Sequence, residues 1–562
     1  MNTKIAMLTI VGFTLLSFTN CSFVKNLNQY DHAAVVTAHP GATTVGLNIL
    51  KGGGNAIDAT IAVQFALAVV YPNAGNIGGG GFIVYRDNKG ISNTLDYREK
   101  APTNVSKDMY LDEKGNAITD KSLFGALASG VPGSVDGMVQ AHTKYGKLDW
   151  KKDLQPAIDL AEKGFPITPQ QADELNSRKA DFQKYNQLPV AFVKEAQWKS
   201  GDLLKQPELA KTLKLIRDKG RAGFYEGPIA AAIVSAMKYT KGVISKEDLK
   251  NYHAVWRKPV TGMYQNYKVI SMPPPSSGGI ALLTMLKQVS KYPLKRWGFQ
   301  SDSTVQLIVE AERRAYADRA TYLGDPDYVK VREKELLDSN YIFSRLADMS
   351  FDKATPSSQV NPGKVPGYES EETTHFSIVD GEGNAVSATT TLNGSYGSMV
   401  VVAGAGFILN NEMDDFSVKP GTPNVYGLVG GAANAISPGK RMLSSMTPTI
   451  IEKDGKLVMV VGTPGGSTII TSVFQSVLNV FAFGKNMQEA VSAPRFHHQW
   501  LPDEVYVETG AISEATRKRL TLKGYKIVQR SAIGRVDAIL VKPNGKLEIG
   551  ADPRGNDTGG GY

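Results

Sequence analysis

The pattern of apolar and polar positions divides the chain into three stretches. At the start, strand-like and helix-like segments alternate: residues 33–38 predict a strand, 41–50 a helix, 56–70 an apolar helix capped by Asn55, and 82–85 a strand. Residues 130–350 have mostly helical periodicity, with amphipathic helices expected at 134–145, 154–163, 209–219, 228–238 and 303–323. Strand-rich sequence returns after residue 373, so the chain mixes helices and strands throughout.

A predicted hairpin follows a segment of different composition. Residues 351–372 are rich in Pro, Ser, Gly and Glu, which predicts an exposed loop. Residues 376–379 and 385–393 predict two strands, and the polar and glycine-rich residues 380–384 predict the turn between them. The junction between Glu372 and Thr373 therefore lies where a flexible segment meets a strand.

Cleavage at this junction would give Thr373 a free α-amine beside its hydroxyl. A threonine hydroxyl is a poor nucleophile by itself, but a terminal amine can take its proton. An α-amine has an ordinary pKa of about 7.7–8, so part of it is neutral near physiological pH. Two successive threonines before a strand, Thr373 and Thr374, are also explained by β-propensity alone.

A glycine pair supplies a second candidate for chemistry. Residues 457–461 predict a buried strand and residues 467–481 a helix, with Gly465 and Gly466 between them. Backbone N–H groups at the start of a helix are unpaired and lie at the positive end of its dipole. They are suited to stabilising the oxyanion of a tetrahedral intermediate, whereas a purely structural turn is the alternative.

Five short motifs occur in a characteristic order and spacing. They are Thr373-Thr374-His375, Thr391-Leu392-Asn393, Asn410-Asn411-Glu412-Met413-Asp414-Asp415-Phe416-Ser417, Leu443-Ser444-Ser445-Met446-Thr447-Pro448-Thr449 and Gly462-Thr463-Pro464-Gly465-Gly466-Ser467. Together they resemble the γ-glutamyltranspeptidase (glutathione hydrolase) family, and the resemblance runs from about residue 30 to the C-terminus.

The resemblance implies an N-terminal-nucleophile hydrolase with an α+β fold, a four-layer αββα sandwich in which two antiparallel sheets stack between helices. It also implies a precursor that cuts itself between Glu372 and Thr373. A large subunit, residues 22–372, and a small catalytic subunit, residues 373–562, would then form a heterodimer with one shared core.

The family pattern also assigns roles to individual residues. Thr373 is expected to attack the γ-carbonyl of glutathione or another γ-glutamyl compound, Thr391 to orient it, and Gly465 and Gly466 to hold the oxyanion. The γ-glutamyl group then passes to water or to an amino acid or peptide. The expected substrate-binding residues are Arg98, Ser444 and Ser445 for the α-carboxylate, Glu412, Asp415 and Asn393 for the α-ammonium, and Tyr426 on a lid. Thr468 departs from the pattern, because many bacterial members have arginine there.

Other functions are less well supported by the residues. A cephalosporin acylase acting on glutaryl amides is the nearest alternative, but a glutaryl group lacks the ammonium that Glu412 and Asp415 would bind. A non-catalytic envelope binding protein that never matures is a second alternative. The glycines at 78–81 follow a helix rather than a strand, unlike a phosphate-binding loop. No His-Glu-x-x-His motif is present, and neither a metal nor another cofactor is expected. The absence of a Gly-x-Ser-x-Gly motif argues against an ordinary serine hydrolase.

Composition and the N-terminus bear on location and partners. The net charge of +9 comes from 63 basic residues scattered among 54 acidic ones, which gives no indication of nucleic-acid binding. Residues 1–21 carry a lysine and then an apolar run too short for a confident membrane span, which predicts an export signal and a periplasmic enzyme. Cys21, the only cysteine, ends this segment. Lipidation of Cys21 and simple cleavage nearby both remain open.

Overall fold

A computed structural model describes residues 28–360, 372–418 and 431–562 of the chain. The predicted export signal, Cys21 and the lid residue Tyr426 lie outside the described residues. No helix among the described residues is both long and apolar enough to cross a membrane.

Two seven-stranded sheets, both antiparallel throughout, form the centre of the molecule. Sheet I has the spatial order Thr558–Gly561, Ala34–Thr37, Glu372–Val379, Ala385–Asn393, Gly80–Arg86, Ser92–Asp96 and Val255–Arg257. Sheet II has the order Gln29–Tyr30, Leu547–Gly550, Asp537–Val541, Lys456–Gly462, Thr449–Lys453, Tyr267–Ser271 and Val260–Tyr264. Two minor sheets pair Phe165–Pro166 with Leu203–Leu204, and Phe496–His497 and Ile527–Gln529 with Val505–Val507.

Helices cover the outer faces of both sheets. Those before Thr373 are Pro40–Lys51, Ala56–Val70, Thr119–Leu123, Ser134–Tyr145, Trp150–Lys163, Pro169–Ser177, Lys179–Tyr185, Pro207–Lys219, Ala222–Tyr225, Gly227–Tyr239, Lys246–Lys250, Gly278–Val289, Leu294–Trp297, Asp302–Tyr322, Glu333–Leu336 and Ser339–Ser344. Those after it are Thr468–Phe481, Met487–Ser492 and Glu514–Leu522. Short 3-10 helices span Ala126–Ala128, Ser357–Gln359, Glu412–Asp415 and Ala432–Asn434.

The buried side chains place these elements in four layers. Val36 and Val84 of sheet I pack against Ile450 and Val460 of sheet II in one cluster. The opposite face of sheet I packs on helices that include Ala56–Val70, and the opposite face of sheet II packs on helices that include Thr468–Phe481. Successive strand residues point to opposite faces of a sheet. A buried strand therefore supplies side chains to the cluster between the two sheets and to the cluster beneath the helices on its outer face. The predicted αββα sandwich is confirmed.

Both sheets contain strands from before and after Thr373. Glu372–Val379 pairs with Ala34–Thr37, and Ala385–Asn393 pairs with Gly80–Arg86. In sheet II, Thr449–Lys453 pairs with Tyr267–Ser271. A cut ahead of Thr373 would therefore leave two chains joined by shared sheets and a shared core.

Two stretches differ from their predictions. The region predicted to be mostly helical also contains five strands. Two form the minor sheet of Phe165–Pro166 and Leu203–Leu204, Val255–Arg257 is the edge strand of sheet I, and Tyr267–Ser271 and the edge strand Val260–Tyr264 belong to sheet II. The predicted exposed loop is partly buried up to residue 360, because the Ser357 hydroxyl donates to the carbonyl of Trp500 and its N–H donates to Asp503 at 2.7 Å. Residues 361–371 of that predicted loop lie outside the described residues, and Glu372 begins a strand.

Candidate active site

Thr373 lies at an irregularity in sheet I. It faces Thr391 on the neighbouring strand, but the register shifts between Glu372 and Thr373, so that Glu372 faces Asn393. The Thr373 side chain is 6% exposed, and its hydroxyl donates to Thr391 Oγ1 over a long 3.5 Å. Such bulges kink a strand and re-aim its side chains, and they are frequent next to active sites. The bulge falls at the predicted cleavage junction.

Thr391 is held in place from two sides. Its hydroxyl accepts the N–H of Asn393 at 2.7 Å, and its carbonyl accepts the side-chain amide of Asn76 at 2.9 Å. A Cβ on Gly79 would meet that carbonyl at 2.0 Å, so the glycine is needed for the close approach of its backbone. The glycine-rich stretch at 78–81 therefore packs against the backbone of Thr391. This structural role agrees with the prediction from the helix-then-strand order, which differs from that of a phosphate-binding loop.

Gly465 and Gly466 form the turn between the strand Lys456–Gly462 and the helix Thr468–Phe481. Their φ angles of 131° and 55° lie in the region that favours glycine, and a Cβ on Gly465 would meet Thr468 Oγ1 at 2.6 Å. Within the described part of the chain, neither glycine N–H donates to a protein acceptor. Both N–H groups are therefore available to an oxyanion near Thr373.

A buried cluster of charges lies beside Thr373. Arg98 follows the strand Ser92–Asp96, and its guanidinium contacts the carboxylates of Glu412 and Asp415 on a 3-10 helix. Glu99 adds a third carboxylate, with Oε2 at 3.6 Å from Arg98 Nη1. The structure thus joins the predicted carboxylate-binding residue directly to two predicted ammonium-binding residues.

The electrostatics of this cluster depend on burial and on Arg98. Burial disfavours the charge of Arg98, but the carboxylates of Glu412, Asp415 and Glu99 together raise its pKa above the ordinary value. Burial raises the pKa of Glu412 to about 8 and that of Glu99 to about 7, although Arg98 opposes both shifts. The cluster can therefore gain or lose protons close to neutral pH.

Ser444 and Ser445 approach the same cluster from a different segment. The Ser445 hydroxyl accepts from Arg319 Nη2 at 3.0 Å, and Arg319 also donates to Ser277 Oγ at 2.8 Å. Ser444 Oγ accepts the N–H of Met446 at 3.1 Å. Arg319 is a buried residue of the helix Asp302–Tyr322 and was not among the predicted site residues. Helical periodicity alone does not indicate that this side chain lies near the two serines.

Thr373 lies between two cavities. The first has a volume of about 20 Å³, room for about one water molecule. It is lined by Arg98, Thr373, Thr391, Asn393, Glu412, Asp415, Ser444, Ser445, Met446, Gly466 and Ile469. The second, of about 190 Å³, is lined by Tyr71, Asn73, Gln170, Glu174, Thr373, Pro464, Gly465, Thr468, Ala532, Gly534, Arg535 and Arg554.

The histidines lie outside both cavities. His375 is buried, with Nδ1 at 2.8 Å from Thr389 Oγ1 and Nε2 at 3.1 Å from Ser377 Oγ, and burial lowers its pKa to about 3. Among the described residues, one group could bring metal-ligating atoms within 4.8 Å of one another, namely Asp58, His142 and Asp153. It shares no residue with either cavity.

Comparison with known proteins decides the family. The model of the family described as Gamma-glutamyltranspeptidase matches residues 42–562. The chain belongs to the γ-glutamyltranspeptidase family. A glutathione hydrolase proenzyme of Escherichia coli (strain K12) is 49% identical over 525 residues, which cover 93% of this chain and 90% of that protein. The chain is therefore an enzyme of the γ-glutamyltranspeptidase family.

Solved structures show that the fold alone does not distinguish γ-glutamyltranspeptidases from acylases. The crystal structure of a cephalosporin acylase from Bacillus halodurans matches with a TM-score of 0.85 at 27% identity, covering 98% of this chain and 99% of that one. The γ-glutamyltranspeptidase of Helicobacter pylori matches with a TM-score of 0.56 at 45% identity, covering 58% of this chain and 94% of that one. The acylase ACY 1 proenzyme of Pseudomonas sp. (strain V22) is 36% identical over 532 residues, which cover 93% of this chain and 92% of that protein, against 49% for the Escherichia coli glutathione hydrolase proenzyme.

Proposed function

We propose that the protein is made as an inactive precursor, cuts itself between Glu372 and Thr373, and then transfers γ-glutamyl groups from glutathione and related compounds. The observation that carries the proposal is the position of Thr373. It lies at a strand bulge, between the Arg98–Glu412–Asp415 cluster and the turn formed by Gly465 and Gly466.

Maturation begins with an attack by the Thr373 hydroxyl oxygen on the carbonyl carbon of Glu372. The peptide C–N bond breaks, an ester forms, and the hydroxyl proton ends on the new α-amine. Water then cleaves the ester to give a carboxylate at Glu372 and a free hydroxyl at Thr373. Residues 22–372 and 373–562 would remain together as large and small subunits because their strands pair in both sheets.

In the mature enzyme the neutral α-amine of Thr373 takes the proton from the hydroxyl. The oxygen attacks the γ-carbonyl carbon of the donor, and the N–H groups of Gly465 and Gly466 stabilise the oxyanion. Collapse of the intermediate expels the donor amine with a proton and leaves a γ-glutamyl ester. Water or an acceptor amine then attacks this ester, and the Thr373 hydroxyl is restored.

Charge balance favours a γ-glutamyl group over a glutaryl group. A glutamyl head group brings one carboxylate and one ammonium, so its entry leaves the net charge of the buried cluster unchanged. Its carboxylate would pair with the guanidinium of Arg98, and its ammonium would pair with Glu412 and Asp415. A glutaryl group brings only a carboxylate to a site that already holds Glu99, Glu412 and Asp415, and an uncompensated buried charge is costly.

Entry of the donor requires rearrangement of the cluster. The cavity of about 20 Å³ between Arg98 and Thr373 holds about one water molecule, so the guanidinium must part from at least one carboxylate to admit a glutamyl group. The donor carboxylate then replaces the lost partner of Arg98, and the donor ammonium replaces the lost partner of the carboxylate. A lid containing Tyr426, export through the segment 1–21 and lipidation of Cys21 remain predictions outside the described residues.

The proposed function is tested with two anilides that differ only in the α-amine. Purified protein is expected to release p-nitroaniline from γ-glutamyl p-nitroanilide with a kcat/KM at least tenfold above that for glutaryl p-nitroanilide. It is also expected to release glutamate from glutathione. Equal or greater activity on the glutaryl compound would favour the acylase alternative. A purified protein that remains a single full-length chain and releases no p-nitroaniline would favour the inert binding protein.

A further inference from the structure

Two successive glycines make the oxyanion turn, Gly465 and Gly466, easy to deform. Glycine has no Cβ and adopts both signs of φ readily, so bonds from the surroundings must fix the directions of the two N–H groups. On one side, the Gly465 carbonyl accepts from the N–H of Thr468 at 3.0 Å and from its hydroxyl at 2.7 Å. On the other side, the turn continues directly into Ser467. The bonds of Ser467 therefore help to set where the two N–H groups point.

Ser467 does not cap the helix that it begins. It directly precedes the helix Thr468–Phe481, at a position where a serine hydroxyl commonly accepts an N–H of the first turn. Here its side chain makes no such bond, and its hydroxyl instead donates to Gln499 Oε1 at 2.8 Å. Its carbonyl accepts from the hydroxyl of Tyr316, on the helix Asp302–Tyr322. Ser467 is therefore anchored by two segments outside its own helix.

Gln499 is itself held in one orientation. It follows the short strand Phe496–His497 and is only 2% exposed. Its Nε2 donates to the carbonyl of Leu501 at 3.2 Å, and a carbonyl can only accept, which identifies this end of the amide as the nitrogen. The other end, Oε1, accepts from Ser467 Oγ and from His497 Nε2, each at 2.8 Å.

His497 secures the acceptor end of Gln499. Burial lowers the pKa of His497 to about 3, so the ring is neutral and carries one proton. Because Gln499 Oε1 can only accept, that proton is on Nε2, and Nδ1 accepts from the Thr471 hydroxyl at 2.8 Å. Thr471 belongs to the first turn of the helix Thr468–Phe481. The side chains of Ser467, Gln499, His497 and Thr471 thus form a chain of bonds that closes around the start of this helix.

We propose that Gln499 is a positioning residue of the transfer reaction, which holds the oxyanion turn, through Ser467, in the orientation that the tetrahedral intermediate needs. This inference rests on the proposed function, in which the N–H groups of Gly465 and Gly466 bind the oxyanion. Gln499 lines neither cavity beside Thr373, so Ser467 transmits its effect. The effect is on direction, because a hydrogen bond weakens steeply when its donor is misaligned.

The contribution of Gln499 should fall on the transition state rather than on binding of the donor. The oxyanion exists only after attack on the γ-carbonyl, and interactions that strengthen at that point accelerate the reaction. Removal of one oxyanion-hole donor typically costs about 10²–10³-fold in kcat. Displacement of the turn leaves both N–H groups present and should cost less, about 10- to 100-fold. The head-group contacts of Arg98 and Asp415 lie in other segments and should not change.

The test compares an inhibitor that forms an oxyanion-like adduct with one that cannot. 2-Amino-4-boronobutanoic acid carries the glutamyl head group and a boron atom at the position of the γ-carbonyl carbon. The boron accepts an electron pair from the Thr373 oxygen, whose proton passes to the α-amine of Thr373, and a boron-bound oxygen then lies at the oxyanion turn. Norvaline carries the same head group and has a methyl group in place of the boronic acid. The ratio of the two inhibition constants therefore reports on the tetrahedral adduct, and it is independent of the amount of active enzyme.

Ser467→Ala and Gln499→Leu both remove the bond between these residues. In each variant the inhibition constant of the boronic acid should rise about 10- to 100-fold, while that of norvaline stays within about threefold of the wild type. The kcat/KM for γ-glutamyl p-nitroanilide should fall in parallel with the weaker binding of the boronic acid. The double variant should resemble the more impaired single variant, because the two side chains act through one bond.

Gln306→Leu is the matched control. Gln306 is a fully buried glutamine that lines neither cavity, and its Nε2 donates to the carbonyl of Ser350 at 2.9 Å. Its loss should leave the ratio of inhibition constants at the wild-type value, even where it lowers stability.

An unchanged ratio in Ser467→Ala would overturn the positioning role of Gln499, and so would a shift in Gln306→Leu as large as that in Gln499→Leu. If Gln499→Leu fails to mature, Ser467→Ala decides the question alone. Absence of p-nitroaniline release by the wild type would instead overturn the proposed function.

Discussion

The guanidinium of Arg98 contacts the carboxylate of Asp415, although 317 positions separate the two residues in the sequence. One residue lies before Thr373 and the other after it, so the pair joins the two proposed subunits. Neither half of the chain alone contains the complete cluster. In the proposed mechanism, donor recognition therefore depends on the two halves remaining in one core after cleavage.

Arg98→Lys tests whether donor binding needs the two parallel hydrogen bonds that a planar guanidinium can donate to a carboxylate. Lysine keeps the positive charge for Glu412 and Asp415 but cannot form two parallel bonds to a carboxylate. We expect normal maturation and a donor KM raised by one to three orders of magnitude, about 1.4–4 kcal/mol. Steady-state kinetics on γ-glutamyl p-nitroanilide measures this change. Arg345→Lys, in the Arg345–Asp318 pair at 3.0 Å, is the control and should keep the wild-type KM. A donor KM for Arg98→Lys within twofold of the wild type would contradict the role.

Asp415→Asn tests the ammonium site. The substitution removes a negative charge that would pair with the substrate ammonium, a group that is absent from the precursor junction. Leaving the ammonium half-paired should cost about 2–5 kcal/mol, roughly 30-fold to several-thousand-fold in kcat/KM. The preference for γ-glutamyl over glutaryl anilide should shrink in parallel. The control is Asp302→Asn, at a surface pair with Arg519. An unchanged substrate preference in Asp415→Asn would rule out the proposed ammonium site.

The pH dependence of kcat/KM tests the protonation of Glu412. Burial raises the pKa of Glu412 to about 8, so this one of the two proposed ammonium partners becomes ionised only as the pH rises through that value. The α-amine of Thr373, with an ordinary pKa of about 7.7–8, must also lose a proton. The logarithm of kcat/KM should therefore rise at low pH with a slope approaching two, and Glu412→Gln should reduce the slope to about one. The same slope in both enzymes would show that Glu412 does not titrate in this range.

The strands and the helix around Thr373 could be predicted from the sequence because their propensities are local. The hairpin that holds Thr373 and Thr391 follows from strand propensity and a polar turn, and the helix after Gly466 follows from its apolar periodicity. The strands Val260–Tyr264 and Tyr267–Ser271 were missed within a helix-rich region. A two-residue turn between alternating apolar positions could have revealed them.

Tertiary packing decided what the sequence could not predict. Arg319 lies on the long helix Asp302–Tyr322, and Arg535 lies in a C-terminal segment that lines the larger cavity. The local sequence patterns of these segments do not indicate that either side chain lies near Thr373. The direct contact of Arg98 with Glu412 likewise depends on how the two halves of the chain fold together. Spacing along the chain identifies candidate charges, but only the fold determines which of them are partners.

Asp153 provides a prediction about stability away from the active site. It is fully buried on the helix Trp150–Lys163, neither carboxylate oxygen has a hydrogen-bond partner among the described residues, and burial raises its pKa to about 9. The ordinary pKa of an aspartate is about 3.9, so between this value and about 9 the folded state binds more protons than the unfolded state. Stability should therefore fall as pH rises through this window, by up to about 1.4 kcal/mol per pH unit.

Asp153→Asn removes this titration while keeping the shape of the side chain. We expect a higher urea midpoint than the wild type at pH 8 and little difference near pH 4. Asp159→Asn, on the exposed face of the same helix, is the matched control and should not raise the midpoint at pH 8. Parallel pH profiles for the wild type and Asp153→Asn would show that the buried carboxyl does not destabilise the folded state.

The most direct test of self-cleavage is intact-mass spectrometry of the purified wild type and the Thr373→Ala variant. The wild type should give two chains, the smaller beginning at Thr373 and ending at residue 562, and should release p-nitroaniline from γ-glutamyl p-nitroanilide. Thr373→Ala should give one uncut chain without that activity, because both the cleavage and the transfer need the same hydroxyl. A Thr373→Ala protein that is cut at the same bond, or that turns over the anilide at the wild-type rate, would contradict the assignment of Thr373 as the nucleophile.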